Sequence, residues 1–123
     1  MKKLQILALA ALASFPLALQ AFDLSKHNVV WDSPSQDSLD SMPLSGRMGA
    51  GANVWVEAGS IWIYPSHNGA YDEKGRLLKL GCLRITPVDF KLGGEGFRQE
   101  LHLANGTITI SQGDFRAALW FAG

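Results

Sequence analysis

The sequence predicts an all-β protein: antiparallel hairpins and a meander forming part of a β-sandwich. Three observations carry that prediction. First, Asn53-Val54-Trp55-Val56-Glu57 and Ser60-Ile61-Trp62-Ile63-Tyr64 flank a two-residue link, Ala58-Gly59. Folding the link as a tight turn sets Val56 against Ile61, Val54 against Ile63 and Trp55 against Trp62. Second, Asn105-Gly106 is the strongest short hairpin signal, because both residues tolerate the positive φ of a type I′ turn. Around it the predicted register sets Leu103 against Ile108, Leu101 against Ile110, His102 against Thr109 and Glu100 against Ser111. A one-residue slip would throw every apolar member of these pairs onto the wrong face. Third, no segment after residue 21 carries a helical apolar period.

In chain order, residues 1–21 read as a signal peptide. Lys2 and Lys3 form the charged start, Leu4 to Leu19 the apolar run, and Leu19-Gln20-Ala21 the small-residue cleavage site before Phe22. The run is short for a membrane span of about 20 apolar residues. The expectation is an exported protein, secreted or periplasmic, with no membrane anchor left after cleavage. Residues 22–123 then make one domain at most, read as an incomplete N-terminal β-sandwich domain. They carry nine basic and eleven acidic side chains, with no basic run, which argues against a nucleic-acid partner. Cys82 is the sole cysteine, which excludes an intramolecular disulfide.

Val29-Val30-Trp31 reads as a short strand, followed by a Ser-, Asp- and Pro-rich loop over residues 32–41. The glycine-rich residues 45–51 lack the Gly-Lys-Ser/Thr ending and following helix of a phosphate loop. A tight turn with close backbone approach is the better account. After the first hairpin, residues 65–75 read as a polar loop, 77–88 as a strand and 91–96 as a second glycine-rich loop. A three-strand meander over residues 97–104, 107–111 and 114–121 follows. Its second turn, Gln112-Gly113, sets Ile110 against Phe115 and Ile108 against Ala117. The predicted apolar face is Phe97, Leu101, Leu103, Ile108, Ile110, Phe115, Ala117 and Leu119.

No self-sufficient catalytic constellation emerges. His27, His67 and His102 lack metal-ligand spacing, so neither a metal nor another cofactor is expected. Asp72-Glu73-Lys74-Gly75 reads as a turn rather than half of a carboxylate pair for glycoside hydrolysis. Cys82 reads as a buried, inert thiol. Trp55, Trp62 and Tyr64 share one face of the first hairpin, opposite Val54, Val56, Ile61 and Ile63. Such rings stack on the apolar faces of sugars, or simply pack as core or against a further domain. Because both faces of that hairpin are apolar, something should cover both. The apolar run Ala118-Leu119-Trp120-Phe121-Ala122-Gly123 adds an unblunted strand. Together these predict the front part of a larger fold, poorly stable alone.

Further residues carry a family resemblance. They are Ser41-Met42-Pro43-Leu44 with the glycine-rich turn, Asn53 to Glu57, Ile61 to Tyr64, and Asn68-Gly69-Ala70-Tyr71-Asp72-Glu73. Gly75 to Gly81, Arg84-Ile85-Thr86-Pro87 and Phe97 to Leu103 extend it. From about Trp31 onward the chain resembles the uncharacterised N-terminal domain of secreted bacterial proteins related to the α-L-fucosidase-like glycoside hydrolases. The resemblance implies a β-supersandwich packed on a C-terminal (α/α)6 barrel that holds the catalytic carboxylates and is missing here, so no catalytic residue carries over. Where the family's turn often has Gly-Asn-Gly character, this chain has Ser45-Gly46-Arg47. Arg47 offers a bidentate donor to a carboxylate or sugar hydroxyl there, or caps the turn at the surface. The expected function is a non-catalytic supporting domain of an exported glycoside hydrolase, with carbohydrate an indirect partner. The alternative is a stand-alone carbohydrate-binding module using Trp55, Trp62 and Tyr64.

Overall fold

The computed structural model describes residues 22–122, so the predicted signal peptide lies outside the described residues. Eight strands follow one another: β1 (Val29–Trp31), β2 (Met42–Ser45), β3 (Ala50–Glu57), β4 (Ser60–His67), β5 (Leu83–Ile85), β6 (Arg98–His102), β7 (Thr107–Gln112) and β8 (Phe115–Leu119). They form two four-stranded sheets, ordered β2-β3-β4-β5 and β1-β6-β7-β8, with every pairing antiparallel. Helical structure among the described residues is limited to two 3-10 turns, Leu24–His27 and Arg47–Gly49. The all-β sandwich read from the sequence is the fold observed.

The first hairpin has the predicted register: Val54 pairs Ile63, Trp55 pairs Trp62 and Val56 pairs Ile61. Ala58 (φ 49°) and Gly59 (φ 82°) are both left-handed, as a type I′ link demands. Alanine pays a steric cost there of about 1 kcal/mol, which asparagine largely avoids. Ala58→Asn is therefore expected to raise the thermal midpoint by about 4–8 °C in a domain of this size. A calorimetric scan showing no rise would contradict the turn geometry.

The meander differs from the sequence expectation in register. Leu101 pairs Ile108 and Gln99 pairs Ile110, two residues away from the predicted pairs. Asn105 does not take a positive φ; only Gly106 does (64°). The link is a four-residue loop in which Gly106 N–H donates to the His102 carbonyl at 2.9 Å. Asn105 uses its side chain instead, its Oδ1 accepting from Thr107 N–H at 3.1 Å. The next turn is also displaced by two residues, in the opposite sense: Ile110 pairs Ala117, Gln112 pairs Phe115, and the link is Gly113-Asp114 with Gly113 at φ 57°. An even shift keeps the faces, so burial cannot distinguish the two registers and local turn chemistry decides. The casualty is Leu103, which falls in the loop and is exposed rather than on the apolar face.

Two further corrections concern extent. Residues 42–45 form a strand, β2, that the sequence reading left unassigned; Pro43 is tolerated because β2 is an edge. β4 runs through Pro65 to His67, past β5, which pairs only Ile61–Ile63 and leaves that side of β4 without a ladder to disrupt. Conversely, residues 77–88 hold a strand only at Leu83–Ile85. Few of their side chains find burial to stabilise an extended ladder.

The core lies between the sheets. Met42, Leu44, Val54, Val56 and Ile61 meet Phe97, Leu101, Ile108 and Ile110, with Leu92 from the second glycine-rich loop. In its midst Gln99 is wholly buried. Its Nε2 donates to the Val54 carbonyl at 3.2 Å, and its Oε1 has no partner. The sheets are offset. β2 lies against β7, and Gln99 of β6 reaches β3, so β1 stands over β4 and no strand covers β5. Leu83 and Ile85 share the inner face with their partners Ile63 and Ile61, yet are 59% and 51% exposed. The opposite overhang, β8, is covered: Phe90 packs on Phe115 with centroids 5.4 Å apart, and Phe121 closes over Gly46. A Cβ at Gly46 would come within 2.6 Å of the Phe121 ring, which is the close approach read from the glycine-rich turn.

Candidate functional surfaces

The β3–β4 register places Trp55, Trp62 and Tyr64 together on the outer face. Trp55 and Trp62 stack nearly parallel, with centroids 6.0 Å apart and planes at 13°. Tyr64 meets Trp55 edge-on, at 5.0 Å and 86°. The Arg84 guanidinium lies 4.9 Å over Trp62, steadied by a 3.1 Å bond from its Nε to Ser60 Oγ. Both indole N–H groups point at one residue: Trp55 Nε1 donates to Glu57 Oε2 at 2.8 Å and Trp62 Nε1 to the Glu57 carbonyl at 3.3 Å. Asp37 and Ser38 of the β1–β2 loop complete a shallow cleft of about 240 Å³.

The expectation of a hairpin too apolar for its own chain to cover fails here. Trp55 is 3% exposed and Val56 is fully buried. The neighbouring rings and the β1–β2 loop enclose one, and the second sheet the other. Trp55 therefore offers no ring face to a sugar, and Tyr64 stands across it rather than alongside. Arg47 is not brought to these rings. It is exposed in the turn at the Ala50 end of β3, five residues from Trp55, or about 17 Å along an extended strand.

Cys82 is exposed, not buried. It ends residues 77–82, which form one wall of a groove of about 460 Å³ facing Asn53, Tyr64, Pro65 and Ser66. Leu77, Leu78 and Leu80 remain largely in water there, as does Val88 beyond β5. The leucine run was legible in the sequence; its failure to find a cover was not. Asp72 does form the predicted turn. Its Oδ1 accepts from Arg76 and Lys74 N–H, and the Arg76 guanidinium bonds its Oδ2, which together hold the carboxyl below its ordinary range.

A polar cluster that sequence reasoning missed occupies the outer face of the second sheet. Asn28 Nδ2 donates to Glu100 Oε1 at 2.8 Å and lies 3.2 Å from His102 Nδ1. His102 Nε2 is 2.9 Å from Thr109 Oγ1, and Arg98 donates to Glu100 Oε2 at 2.9 Å. The bond from Asn28, then that from Arg98, holds the Glu100 carboxyl below its usual range, so it is ionised near neutrality. An amide N–H facing Nδ1 suits the tautomer in which Nδ1 accepts and Nε2 donates to Thr109 Oγ1. Asn28 lies over seventy residues from these partners, and no short-range spacing could have announced it. Among the described residues, no three His, Cys, Asp or Glu side chains gather as a metal site.

Comparison with known families gives one result. The sequence model described as "Domain of unknown function (DUF5703)", in its N-terminal form, matches residues 30–122. No curated protein and no solved structure matches. The matched span takes in both sheets apart from Val29, the turns between the strands and the surfaces described above apart from Asn28, and on that span the chain belongs to the DUF5703 N-terminal domain family.

Proposed function

We propose that this domain is a non-catalytic packing module of an exported glycoside-hydrolase-like protein, bond cleavage taking place in a helical barrel outside this chain. The observation that carries the reading is the uncovered side of the sandwich. Leu77, Leu78 and Leu80, in the groove beside Tyr64, and Leu83, Ile85 and Val88, on and just beyond β5, are all exposed. An apolar surface of this extent on an edge strand is an aggregation hazard unless further polypeptide lies on it. The resemblance described above supplies the identity of that polypeptide, and the aromatic stack next to it supports the module from within rather than meeting substrate.

The test uses the natural gene product that carries this chain. It is expected to continue into a helical domain that hydrolyses glycosides. Leu80→Asp with Leu83→Asp should then lower its stability by about 3 kcal/mol, the transfer value of two buried leucines. Residual turnover per folded molecule should be unchanged. A gene product with no further domain, monomeric and soluble with this edge in water, would overturn the reading.

A further inference from the structure

We propose that the outer face of the second sheet is a glycan-binding trough running along β7. Its floor is made of short hydroxyl side chains. Thr107, Thr109 and Ser111 alternate with the core residues Ile108 and Ile110 and so point outward. One wall is Glu100 and His102 of β6, cross-strand neighbours of Thr109 and Thr107. The other wall belongs to β8. Thr109 pairs Ala118 and Ile108 pairs Leu119 at the end of β8, and Trp120 follows directly, continuing toward the Thr107 end of β7. Exposure alternates through this stretch, with Phe121 turned to the core and Trp120 outward and 63% exposed.

These parts suit a sugar chain. An exposed indole offers an apolar face to the C–H side of a pyranose ring. Threonine and serine hydroxyls donate and accept, as sugar hydroxyls require. Glu100 accepts as a carboxylate, and its orientation is fixed in advance by Asn28 and Arg98, so little ordering entropy is lost on binding. Ala118, between Trp120 and Arg116 on β8, keeps the trough open. The five residues from Thr107 to Ser111 of β7 span about 14 Å, room for a short oligosaccharide. The ligand class follows from this chemistry and not from the β5 edge, so the trough and the packing role stand or fall separately.

The experiment is retention of the natural gene product on a panel of immobilised neutral plant and bacterial polysaccharides, followed by calorimetry with oligosaccharides of the retained one. Trp120→Ala should weaken binding about tenfold, the loss of one aromatic contact. Thr107→Phe, which fills the floor without removing the indole, should do the same. Trp62→Ala should leave affinity as it was, and so should Leu80→Asp with Leu83→Asp in the fraction that stays folded. Retention by no polysaccharide, or equal affinity in Trp120→Ala and Thr107→Phe, would overturn the trough.

Discussion

Gln99→Glu is expected to stay folded at pH 4 and to lose most of its stability at pH 7. The side chain is wholly buried between Trp31 of β1 and Ile110 of β7, its cross-strand partners. The wild-type amide donates to the Val54 carbonyl. A protonated carboxyl can make the same donation through its O–H. An ionised one cannot, and faces both desolvation and a carbonyl dipole of the wrong sign. Its pKa is therefore raised in the folded state above the value of about 4.3 in the unfolded chain. The folded form then binds more protons, so stability is retained below that value and falls as pH rises through it. The loss is about 1.4 kcal/mol per pH unit until the folded-state pKa is reached. By pH 7 it amounts to roughly 3–4 kcal/mol, a large part of what a small domain possesses. Urea titrations of variant and wild type at both pH values measure it. The comparison with wild type matters, because Asp72 and Glu100, with lowered pKa values, weaken the native protein as pH falls. Equal differences at pH 4 and pH 7 would mean that water reaches residue 99.

The second large effect separates an isoleucine and a leucine on the inner faces of opposite sheets. Ile108→Ala is expected to cost about 2–5 kcal/mol, since the side chain is fully buried at the centre of β7 and its removal leaves a cavity. In the chain of residues 22–123 by itself, Leu83→Ala should change stability by less than about 0.5 kcal/mol, because there that residue stands in water beyond the reach of the second sheet. Chemical denaturation of the two variants gives the comparison directly. Similar losses would show that β5 is covered in solution.

What the sequence disclosed follows from which forces act locally. The first hairpin was legible to the residue because its link is two residues long and its apolar positions alternate on both sides. The meander was legible in its faces and not in its register. Alternation has a period of two, so Leu101 opposite Ile108 and Leu101 opposite Ile110 bury the same groups, and only the conformation of Asn105 decides. β2 was overlooked since Pro43 speaks against a strand unless its position at an edge is known. Residues 77–88 promised a strand through their composition, but a strand needs neighbours, and only Ile61 to Ile63 supply them. The burial of Trp55 depends on where the β1–β2 loop comes to rest, a long-range matter. So does the tie from Asn28 to Glu100 and His102, which no spacing rule contains.

The one-strand slip between the layers gives this domain a ledge. Water gains entry there first, so thermal opening should begin at β5 and travel inward, while the end closed by Phe90 and Phe121 holds longest. Anything seated on the ledge acts as a latch. It adds its own attachment energy to the cost of opening the strands beneath, and so ties the endurance of the module to that of its neighbour.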